Sequence, residues 1–245
     1  MNTQQVGAEM EPGSVSVSGP SKEFEDFIYL VSHDVRNSVR ALLELPQWIE
    51  EDLEEAGYHV SGGLAENIGL MNTHTRRLDR MLIDLLIYSR IGRMQTVKRL
   101  AWADLIDAVL EQLKVPDGYE IIRDLRAKSI RMGETDGTTL VSALVSNAIK
   151  HHDKDQGKIR IETREADGTV VLIVRDDGPG IDAAFRDRVF DVMTTLKPRD
   201  EVEGSGMGLA HVRKIVSHYG GQIAILSNPD GRGCQIEIRL PAGAS

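Results

Sequence analysis

The chain has one cysteine, Cys234, in 245 residues. A lone thiol excludes an intramolecular disulfide and any zinc site built from cysteines. No apolar run approaches the ~18 residues that a membrane span needs. The first twenty residues contain neither Lys nor Arg, so the basic region of a signal peptide is missing. They are rich in Gly, Ser and Pro, and residues 1–22 are expected to form a disordered tail. Basic residues are outnumbered 29 to 38, for a net charge of -9. That balance argues against broad binding to nucleic acid or anionic lipid. The expectation is a cytoplasmic protein with no membrane insertion.

The rest of the composition is that of a globular protein, with 41% hydrophobic and 27% charged residues. The length suits one or two domains. From Phe24 to Leu53 apolar residues recur at helical spacing, among them Phe27, Val31, Val35, Val39 and Leu42. Gly57 and Ser61-Gly62-Gly63 mark a turn. A second stripe follows through Leu64, Ile68, Met71, Leu78, Leu82 and Leu86. The pattern predicts a helical hairpin over residues 23–95. Alone it leaves apolar stripes uncovered, so pairing with a second chain into a four-helix bundle is expected. Pro46 inside the first helix is expected to kink or locally break it.

After Arg93 the pattern changes. Helices are predicted at 102–113, 135–151 and 206–219, with Thr135 or Asp136 as a cap for the second. Strands are predicted at 119–124, 127–132, 158–164, 169–175, 222–227 and 234–240. Ala166-Asp167-Gly168 reads as a hairpin turn. Residues 96–245 are therefore expected to be an α+β domain with a mixed, mostly antiparallel sheet covered by helices.

Four short segments carry the chemistry. Gly204, Gly206 and Gly208 precede a helical pattern, where backbone amides can approach phosphate oxygens. A Rossmann reading fails because Leu209 and His211 stand where glycine is needed, and no Gly-Lys-Ser/Thr follows for a Walker loop. By itself the segment is also compatible with a plain surface loop. Asp176-x-Gly178-x-Gly180 ends an apolar strand. A carboxylate there suits the exocyclic amine of adenine, although Asp-Gly-Pro-Gly is also a common strand-ending turn. Asn147 and Lys150 share a helix. The amide oxygen of Asn147 suits Mg²⁺ ligation, and Lys150 suits phosphate. His151-His152-Asp153 is a poor metal site, because neighbouring helix positions point in different directions. His33 is followed by Asp34, a carboxylate able to orient the imidazole, and by Asn37 one turn on.

In this order the segments resemble the catalytic core of sensor histidine kinases over nearly the whole stretch from Phe24 to Pro241. Phe27-Ile28-Tyr29-Leu30-Val31-Ser32-His33-Asp34-Val35-Arg36-Asn37 is similar to the phospho-acceptor box. Residues 147–151, including His151, resemble the N box. Residues 176–181 resemble the G1 box, Phe190 the F box, and 204–209, with Ser205 and Leu209, the G2 box. Residues 196–206 are similar to the lid of phytochrome-type kinases. The resemblance implies a dimerisation and phosphotransfer hairpin joined to a Bergerat-type ATP-binding domain. It further implies ATP and Mg²⁺ as cofactors, a homodimer, a response-regulator receiver domain as partner, and input from a longer chain or a partner sensor protein. Its catalytic residues would be His33, Asp34 and Asn37. Three features depart from the pattern. Ser38 replaces a proline, Ala143 replaces a polar residue four before Asn147, and Gly231-Arg232-Gly233-Cys234 resembles a Gly-x-Gly-Thr turn near adenine in which Cys234 replaces the hydroxyl. Two rival readings stand beside the kinase: an ATP-independent histidine phosphotransferase, and a non-catalytic dimer scaffold that senses nucleotide.

Overall fold

The computed structural model describes residues 22–93, 95–198, 204–229 and 231–243. The expected tail at 1–22 lies almost wholly outside them, as does the middle of the lid-like segment.

Helix α1 (Lys22–Glu55) and helix α2 (Gly63–Arg90) form the hairpin. Three polar contacts set its antiparallel register. Arg93 Nη1 pairs with Asp26 at 2.5 Å, Arg90 Nη2 donates to Tyr29 Oη at 3.4 Å, and Arg36 Nε pairs with Asp79 at 3.1 Å. Val39, Ile68, Leu82 and Leu86 are buried. Many stripe residues are not: Phe27, Leu42, Leu45, Trp48 and Leu70 are between 38% and 59% exposed. The expected break at Pro46 is absent. α1 runs unbroken through it, and Pro46 is buried. A proline deletes one i→i−4 bond, and the bonds and packing on either side carry the helix across the gap.

The remaining chain begins with β1 (Val97–Ala101), α3 (Trp102–Leu113), β2 (Tyr119–Leu125), β3 (Ser129–Gly133) and α4 (Glu134–Lys150). It closes with β4 (Gly157–Ala166), β5 (Thr169–Asp176), α5 (Gly208–His218), β6 (Gln222–Ser227) and β7 (Cys234–Pro241). Two short 3-10 turns lie at Ala183–Phe185 and Arg188–Phe190. The main sheet runs β2-β4-β5-β7-β6, with β2 and β4 parallel and every other pair antiparallel. β4 and β5 join through the expected turn, where Asp167 and Gly168 both take positive φ. One face of the sheet is packed by α3, α4 and α5 around Trp102, Ile106, Leu140, Leu144, Ile159, Ile161, Leu172 and Ile215. β1 was not legible in the sequence. It is five residues long, mostly exposed, and exists through its antiparallel pairing with β3.

The expected side-chain cap on α4 is also absent. The helix starts from Gly133 without a side-chain cap bond. Asp136 is instead buried and ties three elements together. Gly92 N donates to Asp136 Oδ2 at 3.1 Å, and Tyr219 Oη donates to it at 2.8 Å. Tyr219 Oη in turn accepts from Gly133 N at 2.9 Å. Burial, with Asp136 beside it, pushes the Tyr219 phenol up to about 12. This network anchors the connection between the hairpin and the sheet domain.

Candidate functional site

α4, the end of β5, the start of α5, Thr194–Lys197 and Gly204–Gly206 surround a cavity of about 440 Å³. It brings together ten of the expected nucleotide residues: Asn147, Lys150, His151, Asp176, Gly180, Gly204, Ser205, Gly206, Gly208 and Leu209. Gly178 does not line it. Its amide instead donates to Asp176 Oδ1 at 3.0 Å. Phe190 is buried in the core. Leu196 and Lys197 of the lid-like segment reach the cavity, while residues 199–203 lie outside the described part.

Asp176 is held from two sides. Its Oδ1 accepts from Gly178 N and, at 3.2 Å, from Cys234 N. Its backbone oxygen accepts from Asn228 Nδ2 at 2.8 Å. Burial raises its carboxyl above the usual range, and the two amides offset only part of that. Glycine is required opposite it. At Gly233, with φ +108°, a Cβ would lie 1.8 Å from the Asp176 oxygen. A Cβ at Gly180, φ +77°, would lie 2.8 Å from the Gly233 oxygen. Cys234 lies at the pocket wall, its thiol pushed up to about 12 by burial and by Asp176.

His152 explains how the turn keeps its shape. Its ring is buried at 1% exposure. Nδ1 accepts from Lys154 N at 3.1 Å, which leaves Nε2 to donate to Asp177 Oδ1 at 3.1 Å. Asp177 Oδ1 also accepts from Lys158 N at 2.7 Å. Burial works against the Asp177 carboxylate, but these bonds outweigh it and hold its pKa below the usual range. His151, beside it, lines the cavity with its pKa lowered by burial and by Lys197 and Lys150.

The glycine loop is equally constrained. A Cβ at Gly206, φ +75°, would lie 2.6 Å from the Thr194 oxygen. At Gly208 only the Ala143 methyl is near, at 3.9 Å. Gly204, Gly206 and the α5 N-terminus at Gly208 line the cavity, an arrangement that suits an anion. A cation would find Asn147 in the wall, and among the described residues no cluster of three acidic, His or Cys groups forms a cage. That donor set fits Mg²⁺ bound mainly through water and phosphate oxygens.

His33, Asp34 and Asn37 stand apart from the cavity on exposed turns of α1. His33 Nδ1 lies 3.2 Å from Asp34 Oδ1, and the ring stacks on Tyr29. Sequence reasoning missed Arg80 and Asp84 of α2, which also line the cavity. No local pattern marks them, because they reach it only through domain packing.

The fold and cavity define an α/β domain with an anion-compatible cavity, attached to a helical hairpin. Residues 134–244 match the family described as histidine kinase-, DNA gyrase B-, and HSP90-like ATPase. The methanogenesis regulatory histidine kinase FilI of Methanothrix harundinacea is 27% identical over 92% of the chain. The chain spans 25% of that relative's own length. Full-length ShkA, solved in complex with AMPPNP, shares the fold with a TM-score of 0.68 over 90% of this chain and 46% of its own, at 19% identity. Histidine kinase ThkA, solved in complex with response regulator protein TrrA, does so with a TM-score of 0.60 over 91% of this chain and 64% of its own, at 18% identity. The family match and the FilI relative support a sensor histidine kinase catalytic core, and the two solved structures share its fold. Among the described residues no helix is long and apolar enough to cross a membrane.

Proposed function

We propose that the chain is a dimeric kinase core that phosphorylates its own His33 with Mg-ATP. The observation that carries this reading is one cavity walled by Asn147, Lys150, Asp176 and the 204–208 loop, on a chain whose hairpin exposes a His–Asp pair. Asp176 accepts the exocyclic amine of adenine. The 204–208 amides, Lys150 and the His151 edge hold the phosphates. Asn147 would hold Mg²⁺, which when bound supplies charge neutralisation between phosphate oxygens. Asp34 keeps the proton on His33 Nδ1, so Nε2 carries the free lone pair. Nε2 attacks the γ-phosphorus, the bond to the bridging oxygen breaks, ADP leaves, and the imidazole proton passes to Asp34. The phosphoryl group then moves to an aspartate of a response-regulator receiver domain. Support for that partner comes from the motif resemblance and from the regulator-bound ThkA fold. Asn37, one turn past His33, faces the same partner and positions water for removal of the regulator's phosphate.

The test is incubation with labelled Mg-ATP. The expected product is acid-labile, base-stable phosphate, lost in His33→Gln. Equal labelling of His33→Gln would assign the acceptor elsewhere. Nucleotide binding without label would leave the nucleotide-sensing scaffold, and no nucleotide binding would leave the ATP-independent phosphotransferase.

A further inference from the structure

The second helix of the hairpin enters the cavity. Arg80, Asp84 and Ile87 lie along one face of α2 and line it. Asp84 makes the direct contact, for Ser205 Oγ donates to its Oδ2 at 2.5 Å. Ser205 is buried, and its oxygen accepts from Met207 N at 3.2 Å. The glycine loop is thus tied to a hairpin carboxylate by a short, charge-assisted bond. Two contacts to the α2 backbone hold the helix in place. His211 Nε2 donates to Asp84 O at 2.8 Å, and Lys214 Nζ donates to Tyr88 O at 2.6 Å. The cross-hairpin pairs Arg90–Tyr29 and Arg36–Asp79 bracket both His33 and Asp84, so the two stand at similar height on the hairpin.

We propose that Asp84 is a further residue of the nucleotide site, one that disfavours the terminal phosphate, so that docking of α2 on the glycine loop and binding of a triphosphate exclude one another. The proposal rests on the reading of the cavity as an ATP site. The 204–208 amides that would hold phosphate belong to the loop whose hydroxyl grips Asp84. A phosphate there meets a carboxylate within a few ångströms, in a half-buried wall where water screens poorly. Relief comes when α2 leaves, which frees the cavity from its docked position at the height of His33. The coupling is reciprocal: what loosens the hairpin tightens nucleotide, and nucleotide loosens the hairpin. A carboxylate that instead helped hold Mg²⁺ would produce the opposite sign.

The experiment is calorimetric titration of the full chain with Mg-AMPPNP and Mg-ADP. Asp84→Asn keeps the shape and an acceptor for Ser205 but removes the charge. Mg-AMPPNP is expected to bind about tenfold more tightly to this variant, and Mg-ADP to change by less than about threefold. Unchanged AMPPNP affinity overturns the proposal, and weaker affinity overturns it in favour of a cation-holding role. Hydrogen exchange on the wild type gives a second readout independent of folding in the variant. Residues 83–90 should exchange faster with Mg-AMPPNP than without, and equal or slower exchange overturns the exclusion. Failure of both nucleotides to bind wild type and variant alike would overturn the ATP reading itself, and the proposal with it.

Discussion

At the scale of single residues, Asp176 shows how burial tunes a carboxylate of the proposed nucleotide site. Its carboxylate is desolvated and only partly compensated by two amides. Asp176→Asn removes a charge-assisted acceptor worth on the order of 1.5–3 kcal/mol, so ATP should bind roughly ten- to hundredfold more weakly by calorimetry. The same environment predicts a pH dependence. In the proposed role the ionised form accepts the adenine amine, and the pKa is raised, so affinity should begin to fall on acidification above the ordinary aspartate range. At this group, folding favours the neutral form, so its contribution to stability is full at low pH and is lost as pH rises through the raised pKa. Weakened binding on acidification is therefore not unfolding driven by Asp176. ATP titrations from neutral to mildly acidic pH, with Asp176→Asn as reference, check this; a flat difference would refute it. Asn37→Ala should keep autophosphorylation of His33 and lose acceleration of regulator dephosphorylation, read from the decay of phosphorylated regulator with ADP present.

At the scale of elements, glycines and a buried aspartate decide how loops meet helices. Gly233 was legible only as part of a turn near the pocket. The structure shows that its missing side chain lets β7 approach the Asp176 backbone. Gly233→Ala combines a positive φ with a backbone clash, a strain on the order of 1–3 kcal/mol or more, and should depress both melting temperature and ATP affinity. Asp136 was read as a helix cap and is instead an acceptor for Gly92 and Tyr219. Capping is a local property, whereas these partners are 44 and 83 residues away. Asp136→Ala leaves both donors unsatisfied, each at about 1–3 kcal/mol. A lowered denaturation midpoint should show it; an unchanged one would make the network incidental.

At the scale of the whole molecule, the hairpin is unfinished. Leu42, Leu45, Trp48 and Leu70 stay well exposed on helices that bury Val39 and Leu82. Covering such a stripe with its copy fits the proposed homodimer, isologous about a two-fold axis. Sedimentation should give twice the 27.1 kDa chain mass. Leu45→Glu together with Trp48→Glu should shift it towards monomer, at little cost to the sheet domain. A monomeric wild type would remove the dimer from the proposal.

Much of this was written in local pattern. Helical periodicity marked α1 and α2, alternation marked β4 and β5, and Asp167-Gly168 marked the turn between them, because each depends on neighbours a few residues apart. The cavity-lining residues Asn147, Lys150, Asp176, Gly180, Gly204 and Gly208 were legible too, since amide donors and carboxylate acceptors need fixed residue types at fixed spacing. Other features were decided only by tertiary structure. β1 exists because β3 offers it a ladder. α1 crosses Pro46 because long-range packing compensates one lost hydrogen bond. His152 braces Asp177, Asp136 anchors Gly92, and Asp84 grips Ser205 across 121 residues of chain. Such contacts obey no sequence period, because partners far apart along the chain meet only when whole elements dock.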